Sequence, residues 1–308
     1  MSVNNIHNRL EKLINSLSVK EGREKYLRNQ TNYLKKKLRA TSHQKFEDAQ
    51  NNLEKISNSL EVLTFWYSGS FDRGVYINNG FDIDIYPIYK PMNRSKFEKK
   101  FGIKSLTGEI LFGILYYDLR EINKINPKLV ILKEPPYNHS IPTRIDFEEQ
   151  TVDFDCIPAI ELPDGILIAP NGTDSVKKVN LLLEEKGLLK VNKRHNGNAT
   201  KLIFLLKYWN WNWNYPVKSY IIQRLVEEIF LKESMKSWDK AIKTFFKKSI
   251  IIFKKYLRDE IVLKDRVYTH KSILDDYSEE KVYYFFENLK EGYAYAVNDD
   301  WYALFGNF

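Results

Sequence analysis

The run Phe81-Asp82-Ile83-Asp84-Ile85-Tyr86 decides the fold, because acidic and apolar residues alternate in it with the two-residue period of a β-strand. In a strand, Asp82 and Asp84 share one face with their Cα atoms about 7 Å apart, while Ile83 and Ile85 can be buried on the other face. Two neighbouring carboxylates repel each other unless a cation lies between them. The pattern therefore predicts a strand whose acidic face binds divalent metal ions.

A Gly-Ser turn precedes this run and adds a second chemical feature. Gly69 and Ser70 follow the short aromatic segment 63–67, which is typical of a strand. A turn between a strand and a helix presents backbone N–H groups and a hydroxyl to a phosphate. Gly-Ser alone is a weak signal, but it stands close before the Asp-x-Asp run. The turn is therefore a candidate phosphate-binding site.

A second alternating segment, Val152-Asp153-Phe154-Asp155-Cys156, offers a third carboxylate. Asp153 and Asp155 share a face, so the periodicity allows either residue. We favour Asp155, and we interpret Asp153 as an exposed acidic residue of a half-buried sheet. One metal ion bound by three carboxylates would lower the pKa of an attacking hydroxyl. A second ion would bind a triphosphate and neutralise the leaving pyrophosphate. We therefore predict two Mg²⁺ ions, with Mn²⁺ as an alternative.

Composition limits the class of protein. A chain of 308 residues with 43% hydrophobic residues can form a packed core and two domains. Its single cysteine, Cys156, excludes an intrachain disulfide, and no Cys/His cluster has zinc spacing. The N-terminus lacks the pattern of a secretory signal, and no apolar run is long enough to cross a bilayer. We predict a cytoplasmic protein with no membrane partner.

Charge and the absence of common motifs narrow the function further. The net charge of +8 fits an anionic ligand such as a nucleotide, RNA or DNA, but it also fits a composition rich in Lys and Asn. The sequence has no nucleophile elbow, no P-loop and no Gly-x-Gly-x-x-Gly motif. A hydrolase triad, a P-loop enzyme and a dehydrogenase are therefore poor fits.

Periodicity predicts an α+β chain whose C-terminal half is mainly helical. Pro87 suggests that the strand carrying Asp84 lies at a sheet edge or ends there. The change to helical periodicity predicts domains at 1–172 and 173–308. The predicted helices are three within 1–62 (the second over 20–39 and the third over 44–62), then 107–122, 174–187, 199–213, 217–232, 235–257 and 279–290. The predicted strands are 63–67, 81–89, 129–133, 144–147 and 151–160.

The motifs taken in order resemble a known superfamily. Gly-Ser, hydrophobic-Asp-x-Asp and hydrophobic-Asp-x-x-Pro are similar to the polymerase-β-type nucleotidyltransferases. The segments 201–210 (KLIFLLKYWN) and 217–225 (VKSYIIQRL) resemble two helices of the CD-NTase and oligoadenylate-synthase group. The ending 301–306 (WYALFG) is similar to the terminal pattern of that group. The resemblance covers roughly residues 55–308. It implies a nucleotidyltransferase core, a mixed twisted sheet flanked by helices, with a C-terminal helical lobe.

The resemblance also implies roles for individual residues. Asp82, Asp84 and Asp155 would bind Mg²⁺, and Gly69 and Ser70 would bind the donor phosphates. In the C-terminal half, the implied nucleotide contacts are those of Lys207 and Ser219 with the triphosphate and of Tyr220 with the donor base.

Each C-terminal residue also has a structural interpretation. Lys207 could extend its ammonium group to the surface, Tyr220 could pack in the core, and Ser219 could be only a helix N-cap. The sequence departs from the family pattern at Val75, where Thr is usual, and at Gln223, where Glu is usual.

The leading hypothesis is an enzyme that joins NTPs into a cyclic di- or oligonucleotide with release of pyrophosphate. The resemblance implies a role in anti-phage defence, with a downstream effector that binds the product and no requirement for nucleic acid. One alternative is a template-independent RNA-end transferase of the CCA-adding or poly(A) type. The other is a nucleotide-binding module that has lost catalysis.

Overall fold

The computed structural model describes residues 3–18, 21–42, 60–68, 83–91, 107–137, 139–147, 150–161, 167–179, 181–214, 217–265, 272–275 and 277–306. These residues form the predicted α+β fold, in which a mixed sheet is flanked by helices and followed by C-terminal helices. The helices are α1 (Val3–Leu17), α2 (Glu21–Ser42), α3 (Gly108–Ile125), α4 (Leu181–Arg194), α5 (Asn198–Asn212), α6 (Ser219–Phe230), α7 (Trp238–Tyr256), α8 (Glu279–Val297) and α9 (Trp301–Phe305). The strands are β1 (Leu60–Ser68), β2 (Ile83–Pro91), β3 (Leu129–Ile131), β4 (Ile141–Phe147), β5 (Gln150–Cys156), β6 (Ala159–Glu161), β7 (Leu167–Asn171) and β8 (Ser175–Val179).

Strand β2 lies in the middle of the sheet. The strand order is β3-β4-β5-β2-β6-β7-β8, and β1 pairs antiparallel with β2. β2 runs parallel to β5 in its first part and parallel to β6 in its second part. The edge position suggested by Pro87 is therefore wrong. Proline lacks an N–H to donate to a neighbouring strand. Pro87 lies after the last residue paired with β5 and before the first residue paired with β6, so it interrupts neither pairing.

Helix α3 packs on this sheet through an apolar stripe at helical spacing, and it contacts β3, β7 and β8. The hydroxyl of Thr107 caps its first turn by accepting a hydrogen bond from the N–H of Ile110 at 3.3 Å. The next residue, Gly108, lies against the turn between β7 and β8. A Cβ on Gly108 would lie 1.7 Å from the carbonyl oxygen of Gly172, so only glycine fits.

Two predicted helices need correction. The helix predicted over 174–187 is instead a strand, β8, followed by the start of α4. β8 forms an antiparallel hairpin with β7, and Gly172 in the turn adopts a φ of +76°. The helix predicted over 44–62 falls mostly outside the described residues, and its last residues, 60–62, belong to strand β1.

The chain packs as two units, one containing α2, α3 and the sheet, the other containing α1 and helices α4–α9. In the helical unit, the apolar face of α1 is buried, and α1 contacts α5 and α7. The indole N–H of Trp238 donates to the carboxylate of Glu11 at 2.8 Å. The predicted domain ranges 1–172 and 173–308 stay predictions; in the packing units, α1 belongs with the C-terminal helices.

Aromatic side chains fill the core of the helical unit. Trp209 of α5 is fully buried, with its ring centroid 5.0 Å from that of Phe246 and 6.3 Å from that of Phe285. Such edge-on and tilted pairs add to the stabilisation that burial gives. No helix in the described part of the chain is both long and apolar enough to cross a bilayer.

Candidate active site

Two of the predicted metal-binding aspartates lie side by side in the sheet. The register of the parallel pair β2 and β5 places Asp84 directly opposite Asp155. Residues in register on neighbouring strands share a face, and their strands are about 4.8 Å apart. Both aspartates are half-buried, whereas Ile83, Ile85 and Phe154 next to them are buried. The sheet therefore presents two carboxylates together on one face and anchors them through the apolar residues of the other.

Three of the other predicted phosphate and metal residues lie outside the described part of the chain. These are Asp82, Gly69 and Ser70. Strand β1 ends at Ser68, which is the partner of Asp84 in the β1–β2 ladder. The Gly-Ser dipeptide therefore follows, in sequence, a strand that ends beside the acidic pair. The roles predicted for these three residues stay predictions.

The structure distinguishes Asp153 from Asp155. Asp153 pairs with Arg144 of β4, whose Nε and Nη2 donate to the two carboxylate oxygens at 2.6 and 2.9 Å. This two-point bond lowers the pKa of Asp153 below its ordinary value. Asp153 thus has a cationic partner within its own chain, and it is half-buried rather than exposed as the sequence analysis expected.

Asp155 has a neutral partner that the sequence analysis missed. The hydroxyl of Ser140 donates to Oδ1 of Asp155 at 2.8 Å. Ser140 lies just before β4, and no motif distinguishes it from the other serines of the chain. Only the pairing of β4 with β5 could have indicated it, since that pairing brings Ile141 opposite Cys156, the residue after Asp155.

The thiol next to Asp155 is buried in the core. Cys156 is fully buried, and burial raises the pKa of its thiol to about 12. A protonated and inaccessible thiol is neither a nucleophile nor a metal ligand at neutral pH. The acidic face of the sheet therefore offers only oxygen ligands from β5.

The acidic pair fits a hard cation. Mg²⁺ prefers carboxylate oxygens, and two adjacent carboxylates need a positive charge to offset their repulsion. The described residues contain no group of three or more acidic, His or Cys side chains that could hold a metal ion. They include only two of the three predicted ligands, because Asp82 is outside them.

The predicted nucleotide residues of the helical unit occupy two helices. Lys207 is buried in the apolar helix α5, with 6% of its surface exposed. Ser219 is the first residue of α6, and the N-cap position belongs to Lys218, so Ser219 is not the N-cap. Tyr220 is half-buried, and its hydroxyl donates to Asp265 at 3.2 Å. A buried ammonium group and a partly exposed aromatic ring are compatible with nucleotide contacts.

No protein-family model matches the chain. A probable cyclic nucleotide synthase of Bacillus cereus (strain VD146) is 24% identical over 227 residues, or 65% of this chain and 67% of that protein. CdnC of E. coli MS115-1, solved with ATP, is 15% identical with a TM-score of 0.72 over 98% of both chains. The CD-NTase CdnG of Bradyrhizobium diazoefficiens, solved in complex with GTP, is 12% identical with a TM-score of 0.67, covering 96% of this chain and 94% of that one.

The mixed sheet that carries the paired aspartates and the helices that follow it define a class of fold that the solved CdnC structure shares. Within that class the fold is that of the CD-NTases, so the resemblance predicted from the motifs is confirmed. In sequence, the chain is similar to a probable cyclic nucleotide synthase.

Proposed function

We propose that this protein is a Mg²⁺-dependent nucleotidyltransferase that joins NTPs into a cyclic di- or oligonucleotide and releases pyrophosphate. The observation that carries the proposal is the register of β2 and β5, which places Asp84 beside Asp155. A pair of carboxylates on one sheet face, next to the end of β1, is the arrangement that a cation-assisted reaction of a triphosphate requires. The homologous synthase and the nucleotide-bound structures of similar fold support the same function.

Asp82, Asp84 and Asp155 are the residues that we assign to Mg²⁺. When bound, the ions would supply positive charge at the reacting phosphate and at the pyrophosphate leaving group. The chain itself positions the carboxylates, because β2 and β5 fix Asp84 and Asp155 relative to each other in a rigid sheet. Asp155 is our candidate to help remove the proton from the acceptor hydroxyl, which attacks the α-phosphate in line. Gly69 and Ser70 would bind the donor phosphates.

The helical unit would contribute the remaining nucleotide contacts. Lys207 and Ser219 would bind the triphosphate, and Tyr220 would stack on the donor base. The burial of Lys207 supports its role, because an ammonium group attracts a phosphate more strongly where little water screens the two charges. The hydrogen bond from Tyr220 to Asp265 would hold the ring of Tyr220 in one orientation for stacking.

We further propose that the protein acts in the cytoplasm in anti-phage defence, where its product would activate a downstream effector. The CdnC protein of similar fold has also been solved in a complex with HORMA-deltaN. A protein of the HORMA type is therefore a candidate binding partner of this chain.

The direct test is to incubate the purified protein with four NTPs and Mg²⁺ without RNA, treat the products with phosphatase, and analyse them by mass spectrometry. We expect a phosphatase-resistant product whose mass is that of a cyclic di- or trinucleotide. Extension of an added RNA, with no product in its absence, would favour the RNA-end transferase instead. Absence of turnover with every NTP mixture would favour the catalytically silent module.

A further inference from the structure

Strand β4 and the residue just before it give the two aspartates of β5 partners of different charge. Asp153 faces Arg144 across the ladder, and the guanidinium occupies both of its carboxylate oxygens. The charge of Asp153 is thereby balanced within the chain. An external cation would have to displace a two-point ion pair to bind there.

Asp155 lies opposite Pro142, which has no polar side chain. Its partner comes instead from Ser140, two residues earlier, through the hydrogen bond to Oδ1. A hydroxyl carries no net charge, so the carboxylate keeps its negative charge. The hydrogen bond involves Oδ1 of Asp155 and not Oδ2.

The hydrogen bond also selects an orientation. The carboxylate of an aspartate rotates about a broad torsional minimum when nothing restrains it. The donor at Oδ1 fixes the plane of the Asp155 carboxylate, and with it the direction in which the second oxygen points. Groups that orient a metal ligand in this way typically change metal affinity or activity by about 10–100-fold when they are removed.

We propose that Ser140 is a positioning residue, which orients Asp155 for a divalent cation without neutralising it. This inference rests on the proposed function, because it requires a cation at Asp155. It also explains why the cation would bind Asp155 rather than Asp153, although both residues lie on one face of β5.

The test compares wild type with Ser140→Ala and Ser140→Thr by titrating Mn²⁺ into the nucleotide-free protein and following free Mn²⁺ by electron paramagnetic resonance. We expect Ser140→Ala to weaken Mn²⁺ binding about tenfold, while Ser140→Thr, which keeps the hydroxyl, stays within about threefold of wild type. Ser175→Ala is the matched control. Its hydroxyl bonds to the carbonyl of Asn171 at 2.9 Å within the β7–β8 hairpin, so its loss should not change Mn²⁺ affinity.

A purely structural role would appear as a lower melting temperature with unchanged Mn²⁺ affinity, and that result would overturn the inference. Equal Mn²⁺ affinity of Ser140→Ala and wild type, in a protein that makes the nucleotide product, would reject the inference and leave the proposed function standing. If wild type neither bound Mn²⁺ nor made product, the proposed function would fail, and the inference with it.

Discussion

The environments of acidic residues in the sheet and in the helical unit are opposite. Asp84 and Asp155 are half-buried on the sheet face, and the identified partner of Asp155 is a neutral hydroxyl. Glu227 of α6 is instead fully buried and receives hydrogen bonds from Gln223, at 2.8 Å, and from the guanidinium of Arg224.

The difference separates a site from a structural cluster. When protein donors and a cation surround a carboxylate, its charge and lone pairs are satisfied within the chain. Removing one partner then destabilises the folded protein, because a buried charge loses its compensation. A half-buried carboxylate with a neutral partner keeps its charge for a ligand. Substitutions of Asp84 and Asp155 should therefore change activity more than stability, and substitutions around Glu227 should do the reverse.

The largest effect is expected at the acidic pair. Asp84→Asn and Asp155→Asn keep the side-chain shape but remove the charge that binds a cation, so turnover should fall about a thousandfold or more. Product formation by mass spectrometry measures this effect. The matched control is Asp153→Asn on the same strand and face, which should keep turnover within about threefold of wild type, because Asp153 bonds to Arg144. Equal losses of turnover in Asp153→Asn and Asp155→Asn would contradict the different roles assigned to these two residues.

The next effect concerns stability. Glu227→Leu removes the partner of Arg224, whose side chain is only 10% exposed, and leaves its positive charge in the helical unit without this compensation. The free energy of unfolding should decrease by about 3–5 kcal/mol. Urea denaturation measures this change. The double variant Arg224→Met with Glu227→Leu should recover most of the loss. A single variant as stable as wild type would show that the cluster is not structural.

A smaller effect is expected at Lys207, which tests whether a buried cation of the helical unit behaves as a ligand-binding group. Lys207→Met should weaken NTP binding roughly tenfold to hundredfold, since a charge-assisted hydrogen bond contributes about 1.5–3 kcal/mol. The control is Lys201→Met on the same helix, because Lys201 lies 3.7 Å from Glu11 and is more exposed. Isothermal titration with a non-hydrolysable ATP analogue compares them. Equal affinities of Lys207→Met and wild type would assign Lys207 to structure.

The smallest effect concerns a buried polar pair within the sheet unit. The hydroxyl of Tyr89 donates to Asp118 at 2.8 Å, and Tyr89→Phe should cost about 1–2 kcal/mol at pH 8. Burial, together with the neighbouring Asp118, raises the pKa of Tyr89 well above its ordinary value. The unfolded tyrosine ionises near pH 10 while the folded one stays protonated, so this contribution is complete below about pH 10 and is lost as the pH rises further.

Denaturation curves at pH 8 and pH 11 test this prediction. Between these two pH values, Tyr89→Phe should lose less stability than wild type does, because it lacks the titrating group. An identical pH dependence of the two proteins would contradict the assignment of the shift to Tyr89.

The sequence predicted the acidic pair because strand alternation constrains side-chain direction strongly. The period of two places Asp84 and Asp155 on polar faces, and the apolar neighbours require the opposite faces to be buried. The helices of the C-terminal half were also predictable, because α5 through α8 combine apolar residues at helical spacing.

Other features depend on long-range packing. Strand β8 was predicted to be part of a helix because it is short and rich in Lys, and the leucines that begin α4 follow it closely. Ser140 acts through a strand pairing that no local motif encodes. The association of α1 with α5 and α7 joins segments far apart in the sequence, and amphipathic periodicity alone does not specify the partner of a helix.

The inaccessibility of Cys156 has a practical consequence. The sole native thiol of the chain is buried and stays protonated up to high pH, so maleimide reagents should not label it in the folded protein. A cysteine introduced at an exposed position such as Tyr302, which is 64% exposed, could then carry a single fluorophore or spin label. Spectroscopy of nucleotide-dependent motion would need no cysteine-free background.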